Sequence, residues 1–213
     1  LHRFGRLLAG ETDFVLPRAV DALTRSDILA MSWVDGVAVE SLTDADQSVR
    51  DHLASRLIGL LFRELFEFRL IQTDPNFANY RFEPEGGRLV LLDFGATRPY
   101  AEAVVEAYRR LIAATIGGDR ATMAEAAEAI GYFQGNIHAA QREAVIDLFS
   151  TACEPLRHAG PYDFGTSDLA LRLRDAGLAL SMERDFWHTP PADALFLHRK
   201  LGGLYLLAAR LRA

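Results

Sequence analysis

Gln72-Thr73-Asp74-Pro75-Asn76-Phe77-Ala78-Asn79 and, further along, Leu91-Leu92-Asp93-Phe94-Gly95 are the two stretches of sequence from which the fold can be predicted. The first is polar and contains a proline, which favours a loop, whereas the second starts apolar and ends in a turn sequence. Between them, residues 80–83 and 88–92 are predicted as two short strands joined by the turn Pro84-Glu85-Gly86-Gly87. Because such a hairpin returns the chain to its starting point, we expect both stretches to border one cleft.

Asp74, Asn79 and Asp93 are the candidate functional residues of this cleft. A tight loop can direct Asp74 and Asn79 to one side, and a carboxylate such as Asp93 at the end of an apolar strand is costly to bury unless it meets a cation. Asn79 and Asp93 offer the oxygen ligands that Mg²⁺ prefers, with waters and phosphates completing its shell. Asp74 would then orient or deprotonate an attacking hydroxyl, which is the division of roles in kinase-type phosphoryl transfer. The purely structural alternatives are a loop-capping carboxylate at Asp74 and a turn residue at Asp93.

Around this centre the sequence predicts a mainly α fold with small β hairpins. Two strands are predicted at 15–22 and 27–34, with a turn at 24–27. Apolar residues that recur at three and four positions from 44 to 71 predict an amphipathic helix, capped by Asp44 or Asp46. Glycine and proline separate five further predicted helices, at 101–117, 119–131, 139–157, 166–182 and 191–212.

A second Asp-Phe-Gly triplet, at residues 163–165, shows that the triplet alone is a weak signal. It follows Gly160-Pro161-Tyr162 rather than an apolar strand, and no Asp-x4-Asn loop stands before it. We therefore predict that it forms a loop, with Thr166 or Ser167 capping the next helix.

The composition excludes several classes of function. Half of the 213 residues are apolar, and 23 Lys and Arg against 29 Asp and Glu give a net charge of −6, so we expect no diffuse attraction to nucleic acid. The single cysteine, Cys153, cannot form an internal disulfide and is predicted as a small core residue. Apolar runs are far shorter than the roughly 20 residues that cross a bilayer. We expect a soluble domain, in the cytoplasm or peripheral at a membrane.

The two stretches together closely resemble the AarF/UbiB family of atypical protein-kinase-like proteins, in particular its coenzyme-Q-biosynthesis branch. Other segments agree from about Val15 to the C-terminus, and the motifs are specific, because the Gln-Thr-Asp-Pro form is not the usual kinase His-Arg-Asp. These segments are Arg63-Glu64-Leu65-Phe66-Glu67-Phe68, Tyr162-Asp163-Phe164-Gly165-Thr166 and Leu197-His198-Arg199-Lys200-Leu201-Gly202-Gly203.

The resemblance implies a role for each candidate residue and a division of the chain. Asp74 stands at the position of the catalytic aspartate, and Asn79 and Asp93 at those of the metal-binding asparagine and aspartate. Ala30-Met31-Ser32-Trp33 would be the hinge, so Met31 and Trp33 would contact the nucleotide, whose adenine edge the hinge backbone reads. Residues 1–34 would then be the end of the small lobe with the hinge. Residues 35–213 would be the protein-kinase-like large lobe, with the catalytic loop at 72–79 and the metal loop at 93–95.

Parts of the family pattern have no counterpart in this chain. The family has a phosphate-binding lysine, a partner glutamate, an alanine-rich nucleotide loop and a Lys-x-Gly-Gln extension. Lys200 is the only lysine here and lies at the wrong end of the chain to be the phosphate lysine. We therefore expect this chain to be inactive by itself.

The resemblance implies a full-length protein that uses ATP and Mg²⁺ for phosphoryl transfer or ATP hydrolysis in support of ubiquinone biosynthesis. Its implied partners are the nucleotide and either isoprenoid lipid or quinone-biosynthesis proteins, with an option of peripheral membrane contact. One alternative is a nucleotide-dependent lipid-binding or scaffold module without phosphotransfer. Another is a small-molecule phosphotransferase of the aminoglycoside or choline kinase type, against which the Gln-Thr-Asp-Pro start argues.

Two other residues have competing interpretations. Arg98, just after the metal loop, could contact phosphate or pair with a carboxylate, and we favour the pair. His198 could be functional, but we favour a structural role that closes the last helix onto the large lobe.

Overall fold

The computed structural model describes residues 1–133, 137–182 and 190–213. Within these ranges, the first half of the chain contains short strands together with two α-helices, and helices alone follow, which confirms the predicted mainly α class. The strands are β1 (Phe14–Val15), β2 (Val37–Ala38), β3 (Leu70–Gln72), β4 (Tyr80–Glu83), β5 (Arg88–Leu91) and β6 (Thr97–Pro99). The helices are α1 (His2–Leu7), α2 (Gln47–Arg63), α3 (Glu102–Gly117), α4 (Arg120–Ile130), α5 (Ala139–Ala152), α6 (Glu154–Arg157), α7 (Leu169–Met182) and α8 (Ala192–Leu211).

Two small sheets hold the centre of the chain. The first has the order β1-β5-β4-β2, and the antiparallel β4/β5 pair is the predicted hairpin, with Tyr80 opposite Leu91. The second sheet pairs β3 with β6 antiparallel, with Gln72 opposite Thr97. This second sheet was not predicted, and it brings together the segments that precede and follow the hairpin.

The two long strands predicted at 15–22 and 27–34 are wrong. Over residues 14–34 the structure has only the two-residue β1 and a single bridge between Ala19 and Met31. Leu23, Ile28 and Leu29 are more than half exposed, so their apolar side chains do not pack on a neighbouring strand face. Strand formation depends on such cross-strand packing more than on intrinsic preference. The division of lobes at residue 34 stays a prediction.

The predicted helix 44–71 is too long. The structure starts α2 directly after Asp46, one of the two predicted caps, and ends it at Arg63. A π-helical turn at Glu64–Phe68 follows, and Arg69 then takes a left-handed conformation with φ 51° before β3 begins. The wider turn keeps Leu65 in the core, which explains why the apolar spacing continued past the end of the α-helix.

The later helices lie close to their predicted positions. The exceptions are a break at Cys153, which divides the predicted 139–157 helix into α5 and α6, and the start of α7, three residues later than predicted. Pro155 is the second residue of α6, and its lack of an N–H fits the interruption. The main core forms around α2 and α8, and the buried leucines they contribute include Leu53, Leu57, Leu61, Leu204, Leu207 and Leu211.

Candidate active site

The end of β3 and the start of β6 place the two predicted loops side by side. Thr73 donates from both its backbone N–H and its hydroxyl to the carbonyl of Ala96, at 2.8 and 2.7 Å. Asp74 follows Thr73 directly, and Asp93 stands three residues before Ala96. The expectation that both loops border one place is therefore met by the second sheet as well as by the hairpin.

Asp74 and Asn79 are in direct contact, as their spacing predicted. The Asn79 amide Nδ2 donates to Asp74 Oδ2 at 2.9 Å, and Asp74 Oδ1 accepts from the backbone of Asn76 at 3.3 Å. The Asn76 side chain in turn accepts from the backbone of Ala78 at 3.0 Å, at the start of a 3-10 turn that ends at Asn79. Because Asp74 occupies the amide nitrogen of Asn79, the amide oxygen is the atom left for a cation.

Asp93 directly follows Leu92, whose backbone pairs with that of Asn79 at the end of the hairpin. The N–H of Leu92 donates to the carbonyl of Asn79 at 3.0 Å, which extends the pairing of β4 with β5. Asp93 itself is exposed, and its Oδ1 accepts from the backbone of Gly95 at 2.7 Å. The structure thus brings Asp74, Asn79 and Asp93 to one edge of the hairpin, and their metal-binding and catalytic roles stay predictions.

These side chains suit a magnesium ion that arrives with a nucleotide. In the parts of the chain that the structure describes, no three His, Cys, Asp or Glu side chains form a metal site by themselves. The candidate set has one amide oxygen and the carboxylate of Asp93, with Asp74 beside them. Mg²⁺ is commonly held by one or two carboxylates together with waters and substrate phosphates, so such a sparse set fits it.

The predicted hinge residues lie on an exposed segment. Trp33 is 80% exposed, and its indole N–H donates to Asp35 Oδ1 at 2.7 Å. Met31 is 44% exposed and forms the bridge with Ala19. Contact of Met31 and Trp33 with a nucleotide therefore stays a prediction that depends on the resemblance.

Sequence reasoning missed a buried polar group directly behind the catalytic loop. Lys200 and Glu64 are 2% and 1% exposed, and Lys200 Nζ lies 2.6 Å from Glu64 Oε2. Lys200 also donates to Gln72 Oε1 at 3.3 Å. Burial raises the pKa of Glu64 and lowers that of Lys200, and the contact between the two opposes both shifts. The signal in the sequence was a lone lysine between apolar helix positions.

The favoured interpretations of Arg98 and His198 are confirmed, whereas Cys153, predicted as a small core residue, is only half-buried, at the break between α5 and α6. Arg98 pairs with Asp193 on α8, with both contacts between 2.8 and 2.9 Å. His198 is half-buried, stacks on Tyr132 and hydrogen-bonds the Tyr132 hydroxyl at 2.6 Å, and desolvation by the surrounding side chains lowers the pKa of His198 to about 4. Burial likewise raises the pKa of the Cys153 thiol to about 11, which disfavours the reactive thiolate.

The second Asp-Phe-Gly triplet forms the predicted loop. Asp163 Oδ1 accepts from the backbone of Gly165 at 2.9 Å and of Thr166 at 3.0 Å. The hydroxyl of Ser167 accepts from the backbone of Leu169, the first residue of α7, at 3.1 Å. Ser167, one of the two predicted caps, therefore caps this helix.

Comparison with known proteins gives consistent results along the whole chain. The ABC1 atypical kinase-like domain matches residues 1–127. The chain is 34% identical to the Danio rerio protein "Atypical kinase COQ8B, mitochondrial" over 99% of its own length and 34% of that relative. It is 30% identical to the Saccharomyces cerevisiae "Atypical kinase COQ8, mitochondrial" over 100% of its own length and 42% of that relative.

A solved complex of Rv3197 with erythromycin from Mycobacterium tuberculosis has the same fold. The TM-score is 0.73 at 16% identity, and the match covers 100% of this chain and 52% of that one. This likeness confirms the kinase-like large-lobe fold.

The chain spans about a third of the length of the curated relatives it matches. Among the described residues, every helix is too short or too polar to cross a membrane. The predicted AarF/UbiB-type resemblance is confirmed by both the domain match and the relatives, and this chain belongs to the ABC1 atypical kinase-like family.

Proposed function

We propose that the full-length protein containing this chain binds ATP with Mg²⁺ and uses it for phosphoryl transfer or hydrolysis. The observation that carries the proposal is the 2.9 Å hydrogen bond from Asn79 to Asp74 in a loop whose backbone also pairs with the segment leading to Asp93. In this proposal the loop supplies Asn79 and Asp74, and the strand end supplies Asp93 as the second metal ligand. The names of the relatives as atypical kinases support the same activity.

Each residue has a distinct role in this proposal. The amide oxygen of Asn79 and the carboxylate of Asp93 would hold Mg²⁺, which supplies positive charge to the phosphates when bound. Asp74 is fixed by the Asn79 amide and the backbone of Asn76, yet it is only partly buried. It can therefore orient an attacking hydroxyl or water and accept its proton.

We further propose a role in ubiquinone biosynthesis, since the relatives are named COQ8 kinases. Isoprenoid lipid or quinone-biosynthesis proteins would be the partners, with peripheral contact at a membrane. The relatives are named mitochondrial proteins. The aminoglycoside or choline kinase alternative has less support, because the curated relatives are named atypical kinases.

The proposal is tested with Asp74→Asn in the full-length protein. This change keeps a side-chain oxygen but removes the base, so turnover of Mg-ATP should fall by about 100-fold or more while nucleotide binding is retained. Asp175→Asn, at an exposed aspartate paired with Arg174, is the control and should leave turnover unchanged. Wild-type turnover in Asp74→Asn would contradict the proposed site.

This chain alone should fold but bind Mg-ATP weakly and transfer no phosphate. Lys200 is buried against Glu64, so it is not available to phosphate, and the exposed segment around Met31 offers one wall of an adenine pocket. Exposed charge pairs contribute only about 1 kcal/mol or less, too little to offset the freedom lost on binding. Titration calorimetry checks this prediction, and a micromolar dissociation constant would contradict it.

A second candidate function, a nucleotide-dependent module that binds apolar ligands, is favoured by one cavity. A space of about 310 Å³ lies between α2, α3, α5, α7 and α8, with a mainly apolar lining that includes Leu65, Leu111 and Leu201. An uncharged isoprenoid such as farnesol should bind there and be excluded by Ala170→Phe, since Ala170 lines the cavity. ATP turnover that depends on farnesol and yields only ADP and inorganic phosphate, with no phosphorylated farnesol or protein, would favour this candidate over phosphotransfer.

A further inference from the structure

Helix α8 carries Lys200, the only lysine of the chain, and buries it in the protein interior. Lys200 pairs with Glu64 in the π-helical turn, 136 positions away in the sequence. A buried ion pair of this kind is weak evidence for stability, because the desolvation of both charges offsets much of their attraction. We therefore interpret the Lys200–Glu64 pair as a contact that fixes the position of neighbouring residues.

The geometry that Lys200 specifies is that of Gln72. Gln72 is the last residue of β3 and stands two positions before Asp74. Lys200 Nζ donates to its Oε1 at 3.3 Å, and the hydroxyl of Tyr80 lies 3.5 Å from the same oxygen. The Gln72 Nε2 is buried without a hydrogen-bond partner among the described residues. If the Gln72 amide were flipped, its NH2 group would face the Lys200 ammonium and the Tyr80 hydroxyl, which donate to Oε1 here. Lys200 and Tyr80 therefore fix the orientation of the Gln72 amide, even though its Nε2 has no acceptor in the described part of the chain.

One turn further along α8, the backbone meets the catalytic loop directly. A Cβ added at Gly203 would lie 2.6 Å from the Cβ of Pro75, the residue after Asp74. Real Cβ atoms do not approach so closely, so only glycine lets Pro75 sit against the helix here. Lys200 and Gly203 are three positions apart and thus lie on one face of α8.

The first turn of α8 holds the other loop. Asp193 accepts from Arg98 on β6 at 2.9 Å, and its carbonyl accepts from the hydroxyl of Tyr100 at 2.6 Å. Strand β6 directly follows the segment that carries Asp93. A single rigid helix therefore contacts the segments that carry both halves of the candidate active site.

We infer that α8 is the platform that sets the position of the active-site loops, with Lys200 and Gly203 as positioning residues for Asp74. The inference rests on the proposed function and deepens it. Neither residue acts on substrate: Lys200 holds the strand end that leads into the loop, and Gly203 provides the space in which Pro75 is seated. A displacement of about 1 Å at a catalytic group can cost about 100-fold in rate, so the platform has a measurable effect.

Two neighbouring glycines provide a matched test in the full-length protein. Gly203→Ala places a methyl group against Pro75, whereas Gly202→Ala meets nothing within 4 Å. We expect Gly203→Ala to lower kcat for Mg-ATP by about 100-fold with a much smaller change in KM, and Gly202→Ala to stay within about twofold of wild type. Equal kcat values for the two variants would overturn the inference.

A second test separates positioning from stability. Lys200→Met leaves the Glu64 carboxyl buried without its cation, and we expect it to lower the melting temperature as well as kcat. Lys200→Met combined with Glu64→Gln removes both charges, so the melting temperature should recover while kcat stays low, because the Gln72 amide still lacks the Lys200 ammonium and only the Tyr80 hydroxyl is left to orient it. Recovery of kcat together with the melting temperature would show a merely structural pair.

Hydrogen exchange makes the test independent of catalysis. The backbone N–H groups of residues 72–79 other than Pro75 should exchange faster in Gly203→Ala than in Gly202→Ala, because the crowded Pro75 displaces the loop. If wild-type protein turns over no ATP but this difference in exchange is found, the proposed function fails and the inference stands. If turnover is normal and neither kcat nor exchange distinguishes the two variants, the inference fails and the proposed function stands.

Discussion

The two Asp-Phe-Gly triplets of this chain share one local hydrogen bond and have different surroundings. In each, the aspartate Oδ1 accepts a hydrogen bond from the glycine N–H two residues later, at 2.7 Å for Asp93 and 2.9 Å for Asp163. Asp93 follows β5 and stands next to the Asn79 backbone, whereas Asp163 follows a loop. The hydrogen bond within the triplet is thus a property of the tripeptide. The proposed role of Asp93 depends instead on β5, which places it near Asn79.

The remaining residues of the two triplets differ in their packing. Phe164 is buried against Tyr205 on α8, and its N–H donates to the carbonyl of Ala213 at 2.8 Å. A Cβ on Gly165 would lie 2.7 Å from the Cα of Arg212, so the glycine is needed for this close approach. Phe94 is only half-buried, with its ring centroid 4.7 Å from that of Phe4. The second triplet therefore joins the end of α8 to the core.

The largest expected difference is in catalysis. In the full-length protein, Asp93→Asn should lower Mg-ATP turnover by about 100-fold or more, because the change removes the carboxylate that we propose as a ligand of the metal ion. Asp163→Asn, the same change in the same tripeptide, should leave turnover within about twofold of wild type. Steady-state ATPase assays at saturating Mg²⁺ measure both.

Two other outcomes of these assays would contradict the expected difference between the triplets. If both variants turn over ATP at the wild-type rate, Asp93 is a turn residue like Asp163. A loss of turnover in Asp163→Asn with normal folding would instead give the second triplet a role in the site.

The sequence was sufficient to predict the local parts of this contrast. The β4/β5 hairpin and the Asp74–Asn79 contact follow from turn residues and short spacing, so they were predicted. The β3/β6 sheet was not, because Leu70 and Ile71 continue the apolar spacing of α2 and a three-residue strand carries little periodicity of its own. The contact of Lys200 with Glu64 joins positions 136 residues apart, and single-residue patterns carry no information on such pairs.

A smaller difference between the two triplets is expected in stability, and here the change in the second triplet should have the larger effect. Phe164→Ala should lower the free energy of unfolding by about 3 kcal/mol, because it leaves a cavity in the cluster around Tyr205. Phe94→Ala should cost about 1 to 2 kcal/mol, since its ring is half-buried. Urea unfolding of both variants measures the difference. A greater loss in Phe94→Ala would mean that the first triplet is the structural one.

The smallest expected effect concerns the charge of Asp163. Hydrogen bonds from the hydroxyl and the backbone N–H of Thr166 lower the pKa of this carboxyl below its ordinary value of 3.8. A carboxylate whose pKa is depressed by folding stabilises the native state above its unfolded pKa, and that contribution is lost as the pH falls through the folded pKa. The urea midpoint of wild type should therefore exceed that of Asp163→Asn at neutral pH, and this difference in midpoint should close below pH 3.8.

A second variant tests the cause of the lowered pKa. Thr166→Val removes the hydroxyl donor while keeping the backbone donor, so an NMR titration should show the pKa of Asp163 rising toward its ordinary value. A difference in midpoint that stays constant with pH would show that the asparagine variant loses packing or hydrogen bonding rather than charge, and that this turn is stabilised by its neutral contacts alone.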